Sequence, residues 1–110
     1  MLLLSNDDIK QVLTTELAIA ILEEAYRDFF QGSAVCRPRI NTQVPLGDGK
    51  VYNWSSVEGA SRTAGYLAIR LMSDISYTQT YEGVRTREKY CVRPGLFCGL
   101  ILLTSIHTGE

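Results

Sequence analysis

The chain has 110 residues, of which 45% are hydrophobic and 21% are charged. This composition is typical of a folded domain and excludes a disordered chain, and the length allows one domain of normal size but not two. The 11 basic and 12 acidic residues give a net charge of −1, so no overall charge attracts the protein to nucleic acid or to an anionic membrane. We therefore expect neither partner.

The N-terminal segment and the cysteines predict a cytoplasmic protein. Residues 1–4, Met-Leu-Leu-Leu, lack a basic region and are too short for a signal peptide or a membrane anchor. The longest apolar stretch, residues 95–103, has about half of the roughly 20 residues needed to cross a bilayer. Cys36, Cys91 and Cys98 are an odd number without a Cys-x-x-C pair, so we expect mostly buried thiols rather than disulfides or a zinc site.

The first third of the chain predicts a short strand and two helices. Residues 2–4 are typical of a short strand. Ser5 and the acidic residues after it supply the capping side chains of a helix over about residues 6–13. Thr14 caps a second helix over residues 15–31, in which apolar residues recur at helical spacing.

The remainder predicts four strands. Alternating polar and apolar residues on either side of a Gly-Asp-Gly turn predict a hairpin formed by residues 39–44 and 50–54. Residues 65–73 and 99–106 are rich in apolar residues that favour strands.

Residues 74–94, between the last two predicted strands, show little periodicity. At about 20 residues this segment exceeds an ordinary connection, so we interpret it as a functional loop or as a segment that packs on a partner. The chain is thus predicted to be a single domain, residues 1–110, of the α+β class, with two N-terminal helices packed on a mainly antiparallel sheet.

Two arginines and a tryptophan are candidates for a ligand site. Arg39 follows Pro38, whose restricted backbone holds the guanidinium in one direction, as bidentate recognition of a carboxylate or phosphate requires. A surface ion pair is the alternative. Arg70 is a single charge within an apolar strand, so the face it projects from either lines a pocket for an anion or faces solvent. Trp54 is either part of the pocket wall or an ordinary core residue.

The sequence contains no phosphate-binding loop, dinucleotide fingerprint, nucleophile elbow or zinc-protease motif. His107 has no evident partner and is interpreted as a strand-end residue. Residues 82–93 carry four positive and two negative charges. Interleaved with Tyr90, these charges suit a nucleic-acid strand, but Glu82 and Glu88 interrupt them. We favour a solvated loop or ion pairs between chains.

Several stretches, in their order and spacing, resemble the N-terminal portion of the ornithine cyclodeaminase and mu-crystallin family over essentially all of the chain. They are Leu-Leu-Leu-Ser-Asn-Asp-Asp-Ile-Lys (2–10), Glu-Leu-Ala-Ile-Ala-Ile-Leu-Glu-Glu-Ala-Tyr-Arg-Asp-Phe-Phe-Gln-Gly (16–32), Arg-Pro-Arg (37–39), Gly-Tyr-Leu-Ala-Ile-Arg-Leu (65–71), Cys-Gly-Leu-Ile-Leu-Leu (98–103) and His-Thr-Gly-Glu (107–110). Members of the family are NAD(P)-dependent proteins that act on amino acids or cyclic imines. The resemblance implies that this chain is a substrate-binding and dimerisation domain, which a Rossmann domain follows in the family.

The resemblance also implies roles for two residues. Arg39 matches the family arginine that holds the substrate carboxylate, and Arg70 stands where the family usually has lysine. Arginine keeps the charge but does not transfer a proton near neutral pH. NAD(P) is the cofactor of the full-length family, and we expect no nucleotide site, no catalytic residue and no activity in these 110 residues alone. The alternative is a non-catalytic stand-alone module, truncated or cassette-like, for oligomerisation or small-ligand binding.

We expect the chain to form a homodimer or a higher even-numbered oligomer. Residues 95–103 are too apolar for one side of a strand to face water, and a two-fold axis buries such a surface reciprocally. The segment 74–94 would then cross to the partner copy. Its basic residues (Arg85, Arg87, Lys89 and Arg93) would face acidic helix residues (Glu16, Glu23, Glu24 and Asp28) of that copy.

Overall fold

A computed structural model of the protein describes residues 2–93, 96 and 98–110. Within these residues the α+β class and a mainly antiparallel sheet are confirmed, although the strands occupy more of the chain than predicted. None of the helices in the described residues is long and apolar enough to cross a membrane. The elements are α1 (Asn6–Val12), α2 (Thr15–Phe30), β1 (Ala34–Cys36), β2 (Ile40–Gly47), β3 (Lys50–Ser61), β4 (Tyr66–Tyr81), β5 (Val84–Tyr90) and β6 (Cys98–Ser105).

Both helices begin at the predicted side-chain caps. The Ser5 hydroxyl accepts a hydrogen bond from the backbone N–H of Asp8, and the Asp8 carboxylate accepts one from the backbone N–H of Ser5 at 2.7 Å. The Thr14 hydroxyl accepts from the backbone N–H of Leu17 at 3.2 Å. These bonds satisfy amide groups that the first turn of a helix leaves without partners.

The helix bounds predicted at 6–13 and 15–31 extend one residue past each observed helix. The strand predicted at residues 2–4 is wrong, because this segment pairs with no strand of the sheet. A strand needs a neighbour to accept and donate its backbone hydrogen bonds, and apolar composition alone does not supply one.

The sheet is built on a long antiparallel hairpin of β3 and β4, and all of its strand pairs are antiparallel. β1 and β2 both pair with the free edge of β3, one after the other along its length. β5 and β6 likewise share the free edge of β4. The sheet is therefore four strands wide, although six strands form it.

Residues 74–94, predicted as a loop or partner-bound segment, belong largely to the sheet. β4 continues to Tyr81, and β5 returns from Val84. Glu82 and Gly83 connect them with φ angles of 48° and 82°, as the tight two-residue turns of hairpins require. The predicted loop is therefore wrong for residues 74–90, which pair with strands of the same chain. Pro94, the end of the predicted segment, lies outside the described residues. Ile75, Tyr77 and Tyr81 do alternate with polar residues, as strands do, but Gln79, Thr86 and Glu88 interrupt the apolar face of the hairpin.

Of the two helices, α2 packs on the sheet and α1 contacts none of the other described elements. The contact of α2 is with β1 and β3, at one corner of the sheet. Asp28, a buried residue of α2, accepts a hydrogen bond from the Ser61 hydroxyl of β3 at 3.0 Å. The predicted packing of two helices on the sheet is thus present for one helix, and only at this corner.

The chain is extended and leaves its apolar side chains open. Its radius of gyration is 17.5 Å, whereas a compact domain of this length has about 13 Å. Its accessible surface is 9080 Å², against about 6,100 Å² for a compact monomer of the same mass. Among the described residues no hydrophobic side chain is buried. The sheet and α2 therefore lack the second layer that would enclose a core.

Cys91 and Cys98 form a disulfide, and Cys36 is free and exposed. The prediction of buried thiols is therefore wrong for Cys91 and Cys98, which are oxidised, and for the burial, though not the free thiol, of Cys36. β5 pairs Tyr90 with Ile75, and β6 pairs Cys98 with Ser73. Since both strands lie along the same edge of β4, their ends meet and bring the two cysteines to a Cα–Cα distance of 5.7 Å.

Candidate anion-binding site

The two faces of the sheet differ in chemistry. Directly paired residues of an antiparallel sheet project to the same side, and successive residues alternate. The register therefore defines a polar face and an apolar face. The polar face carries Asn41, Gln43, Asn53, Ser55, Arg70, Asp74, Ser76, Arg85, Arg87 and Lys89, together with the apolar Val57, Met72, Ile101 and Leu103. The apolar face carries Val44, Tyr52, Trp54, Leu67, Ile69, Leu71, Ile75, Leu100 and Leu102, together with the polar Ser56, Glu58, Ser73 and Glu88.

An open pocket of about 310 Å³ lies on the polar face. Arg39, immediately before β2, lines it beside Asn41 of β2 and Ser55 of β3. Arg39 forms no ion pair within the part of the chain that the structure describes. Its guanidinium is thus available to a ligand.

The floor of the pocket is a hydrogen-bond network that joins four strands. Gln43 of β2 donates to the side-chain oxygen of Asn53 at 2.9 Å. The Asn53 amide donates to Asp74 at 2.9 Å and to Ser76 at 3.0 Å. Arg87 of β5 also donates to the Ser76 hydroxyl, at 3.0 Å. Because these groups are already paired and Ser76 is buried, the floor is fixed before any ligand binds.

The charges around the pocket leave it positive. Arg39, Arg87 and Lys89 line it together with Asp74 and Glu88, but Glu88 pairs with Tyr77, so its side chain projects from the opposite face of the sheet. Three positive side chains on the polar face therefore oppose the carboxylate of Asp74. Asp74 lies 3.9 Å from the Lys89 ammonium and is hydrogen-bonded to the network. An anion is therefore the ligand that this pocket favours electrostatically.

Arg70 lies on the same face but does not line the pocket. It pairs with Val57 of β3 and Ile101 of β6, and it is exposed. The register of β2 places Arg39 beside Val57 on the other edge of β3, so the backbones of the two arginines are about 10 Å apart, two strand spacings. Trp54 lies on the apolar face, paired with Thr42 and Ser73. The structure therefore does not bring Trp54 into this pocket.

Arg87 and Lys89 are functional candidates that the sequence interpretation assigned to a solvated loop or to ion pairs between chains. In the structure they turn to groups of their own chain, Ser76 and Asp74. Positive charges at every second position from 85 to 89 would have identified a strand with one basic face. Asn53 has no comparable signal, because its partners lie on other strands.

A second pocket, of about 320 Å³, adjoins the first and shares Ser76 and Arg87 with it. Tyr77 also borders this second pocket, but it pairs with Glu88 and projects from the apolar face, where its ring meets that of Tyr90 edge-on at a centroid distance of 5.7 Å. Desolvation raises the pKa of the Tyr77 phenol, and the nearby Tyr81, Glu88 and Tyr90 raise it further.

His107 lies outside both pockets, at the turn that follows β6. A Cβ atom on Gly65 would lie 3.2 Å from its Nε2 atom, so His107 packs closely on the start of β4. Groups of histidine, cysteine and acidic residues suited to a metal ion do not occur in the described part of the chain.

No known protein family, curated protein or solved structure matches this chain.

Proposed function

We propose that this chain is the substrate-binding and dimerisation domain of a protein similar to ornithine cyclodeaminase and mu-crystallin, and that its pocket holds the carboxylate of a small amino or imino acid. One observation carries the proposal: Arg39 lines a net-positive pocket without an ion-pair partner among the described residues. A guanidinium in this setting binds a carboxylate through two parallel hydrogen bonds.

The neighbours of Arg39 suit this role. Asn41 and Ser55 line the same part of the pocket and supply neutral hydrogen-bonding groups for the rest of a small ligand. Arg70 projects from the same face, about 10 Å away along the sheet. At that distance its charge adds to the potential that attracts an anion, although salt screens much of it.

The described residues do not suit a dinucleotide. Both helices precede the antiparallel sheet, so the described chain has no strand–turn–helix unit of the kind that binds a pyrophosphate. The contribution we assign to this chain is to bind and orient the acid. We assign it no catalytic residue.

Dimerisation is supported by the exposed apolar surface. The accessible area exceeds that of a compact monomer by about 3,000 Å², whereas a standard interface removes about 800 Å² from each partner. We propose that a second copy covers the apolar face and provides the missing layer for α2. The same surface supports the second candidate function, a non-catalytic oligomerisation module, which would form the dimer without binding the acid.

Titration calorimetry with L-ornithine, L-alanine and pyrroline-2-carboxylate tests the carboxylate site. We expect at least one of them to bind, and Arg39→Ala to weaken that binding by about tenfold or more, since a hydrogen bond to a charged group contributes roughly 1.5–3 kcal/mol. Arg37→Ala is the matched control, because Arg37 is exposed and pairs with Glu58 at 3.2 Å. Equal affinity of the wild type and Arg39→Ala would remove Arg39 from the site, and a dimer that binds none of the acids would favour the oligomerisation module.

A further inference from the structure

The positive groups of the pocket come from opposite edges of the sheet. Arg39 precedes β2, whereas Arg87 and Lys89 belong to β5, and β3 and β4 lie between them. The proposed carboxylate site needs only Arg39. Two further positive groups on the far wall of the same pocket therefore remain to be explained.

Arg87 is an exposed residue whose guanidinium is anchored at the pocket. It donates to Ser76, which is only 5% exposed at the floor of the pocket. That bond uses one of five donor hydrogens. Within the described residues Arg87 has no carboxylate partner, so its remaining donors are free for an anion.

Lys89 is only partly neutralised. Its ammonium is 3.9 Å from Asp74, which is longer than a direct hydrogen bond. The Asp74 carboxylate meanwhile accepts from Asn53 at 2.9 Å. The β5 wall therefore presents two positive groups against one carboxylate that is already engaged.

We propose that the ligand of this pocket carries two anionic groups, one bound by Arg39 and the second bound by Arg87 with Lys89. This inference rests on the proposed function and narrows its ligand class from any small amino or imino acid to one with a second carboxylate or a phosphate. A neutral or basic end of the ligand would leave the charges of the β5 wall without a counter-ion in the bound state.

L-Glutamate and L-glutamine test the second anionic group, because they differ only in a terminal carboxylate or amide. O-Phospho-L-serine is the phosphate probe. Calorimetry at low salt should show glutamate or phosphoserine binding at least about tenfold more tightly than glutamine, since hydrogen bonds between charged groups are the stronger kind. Whichever of glutamate and phosphoserine binds more tightly identifies the second anionic group as a carboxylate or a phosphate. Added salt should reduce the preference for that probe over glutamine.

Arg87→Gln should bring the ratio of the glutamate and glutamine affinities to about one, and Arg87→Lys should keep part of the preference for glutamate. Arg85→Gln is the matched control: Arg85 lies two residues away on the same face and lines neither pocket. Equal affinities for glutamate, phosphoserine and glutamine that all depend on Arg39 would overturn this inference and leave the carboxylate site intact. Loss of glutamine binding in Arg87→Gln would also overturn it, because Arg87 would then support the whole pocket. Binding of none of the three probes would overturn the inference, and the proposed function would then depend on the acids named above.

Discussion

Substitution of Leu102 by alanine is expected to weaken self-association. Leu102 lies on the apolar face, paired with Ile69, and is 44% exposed. Full burial of a leucine side chain contributes about 1.5–3 kcal/mol, so covering the exposed part is worth about 1 kcal/mol for each copy. A two-fold interface contains the residue twice. The change should therefore cost about 2 kcal/mol and raise the dimer dissociation constant by about 30-fold.

Leu103→Ala is the matched control, because Leu103 is the next residue of β6 and projects from the polar face. It pairs with Ala68 and is 59% exposed. Sedimentation velocity over a hundredfold dilution should show a wild-type dimer, a weakened dimer for Leu102→Ala and an unchanged one for Leu103→Ala. A wild-type monomer at the highest concentration would refute self-association. Equal weakening by both substitutions would refute the assignment of the interface to the apolar face.

Two further predictions concern the disulfide and the first helix. Replacing Cys91 and Cys98 by serine opens a loop that the disulfide closes at a sequence separation of 7. The double variant should have a free energy of unfolding about 2.5 kcal/mol lower than that of the wild type. Identical urea midpoints for the oxidised wild type and the double variant would contradict this. Hydrogen bonds from the Ser5 side chain and backbone lower the pKa of Asp8 below 3.8. The contribution of the ionised Asp8 carboxylate to the stability of α1 is therefore complete above pH 3.8. It is lost as the pH falls through the lower pKa that Asp8 has in the folded state. Ser5→Ala should raise the Asp8 pKa in an NMR titration, and an unmoved value would show that Ser5 is not the cause.

Features that depend on neighbours in sequence could be predicted, and features that depend on strand register could not. Ser5 and Thr14 cap helices through residues three positions away, so both helices were found within one residue. Arg39 owes its direction to the proline before it. Asn53 and Asp74, in contrast, are 21 residues apart in sequence and meet because β3 and β4 pair in one particular register.

The same distinction explains why the sequence did not indicate the Cys91–Cys98 disulfide. Seven positions separate Cys91 from Cys98, which by itself indicates neither pairing nor its absence. The pair forms because β5 and β6 occupy the same edge of β4, and that arrangement depends on β4 being sixteen residues long. The second half of β4 alternates Ile75, Tyr77 and Tyr81 with serine and threonine, and Gln79 interrupts the series. The interpretation of residues 74–94 as a loop missed this interrupted alternation, and with it the length of the strand.

The shared edge of β4 gives the sheet a mechanical property. β6 pairs with β4 as far as Ser73, and β5 resumes the pairing at Ile75, so Asp74 marks a break in the ladder on that side. The β3–β4 ladder continues past this point without interruption. The sheet can therefore bend at Asp74 about the intact β3–β4 hairpin, while the Cys91–Cys98 disulfide limits how far the ends of β5 and β6 separate. Bending there would move Lys89 relative to Asp74 and so adjust the width of the pocket. Amide hydrogen exchange should be faster beside Asp74 than at the centres of the two flanking ladders.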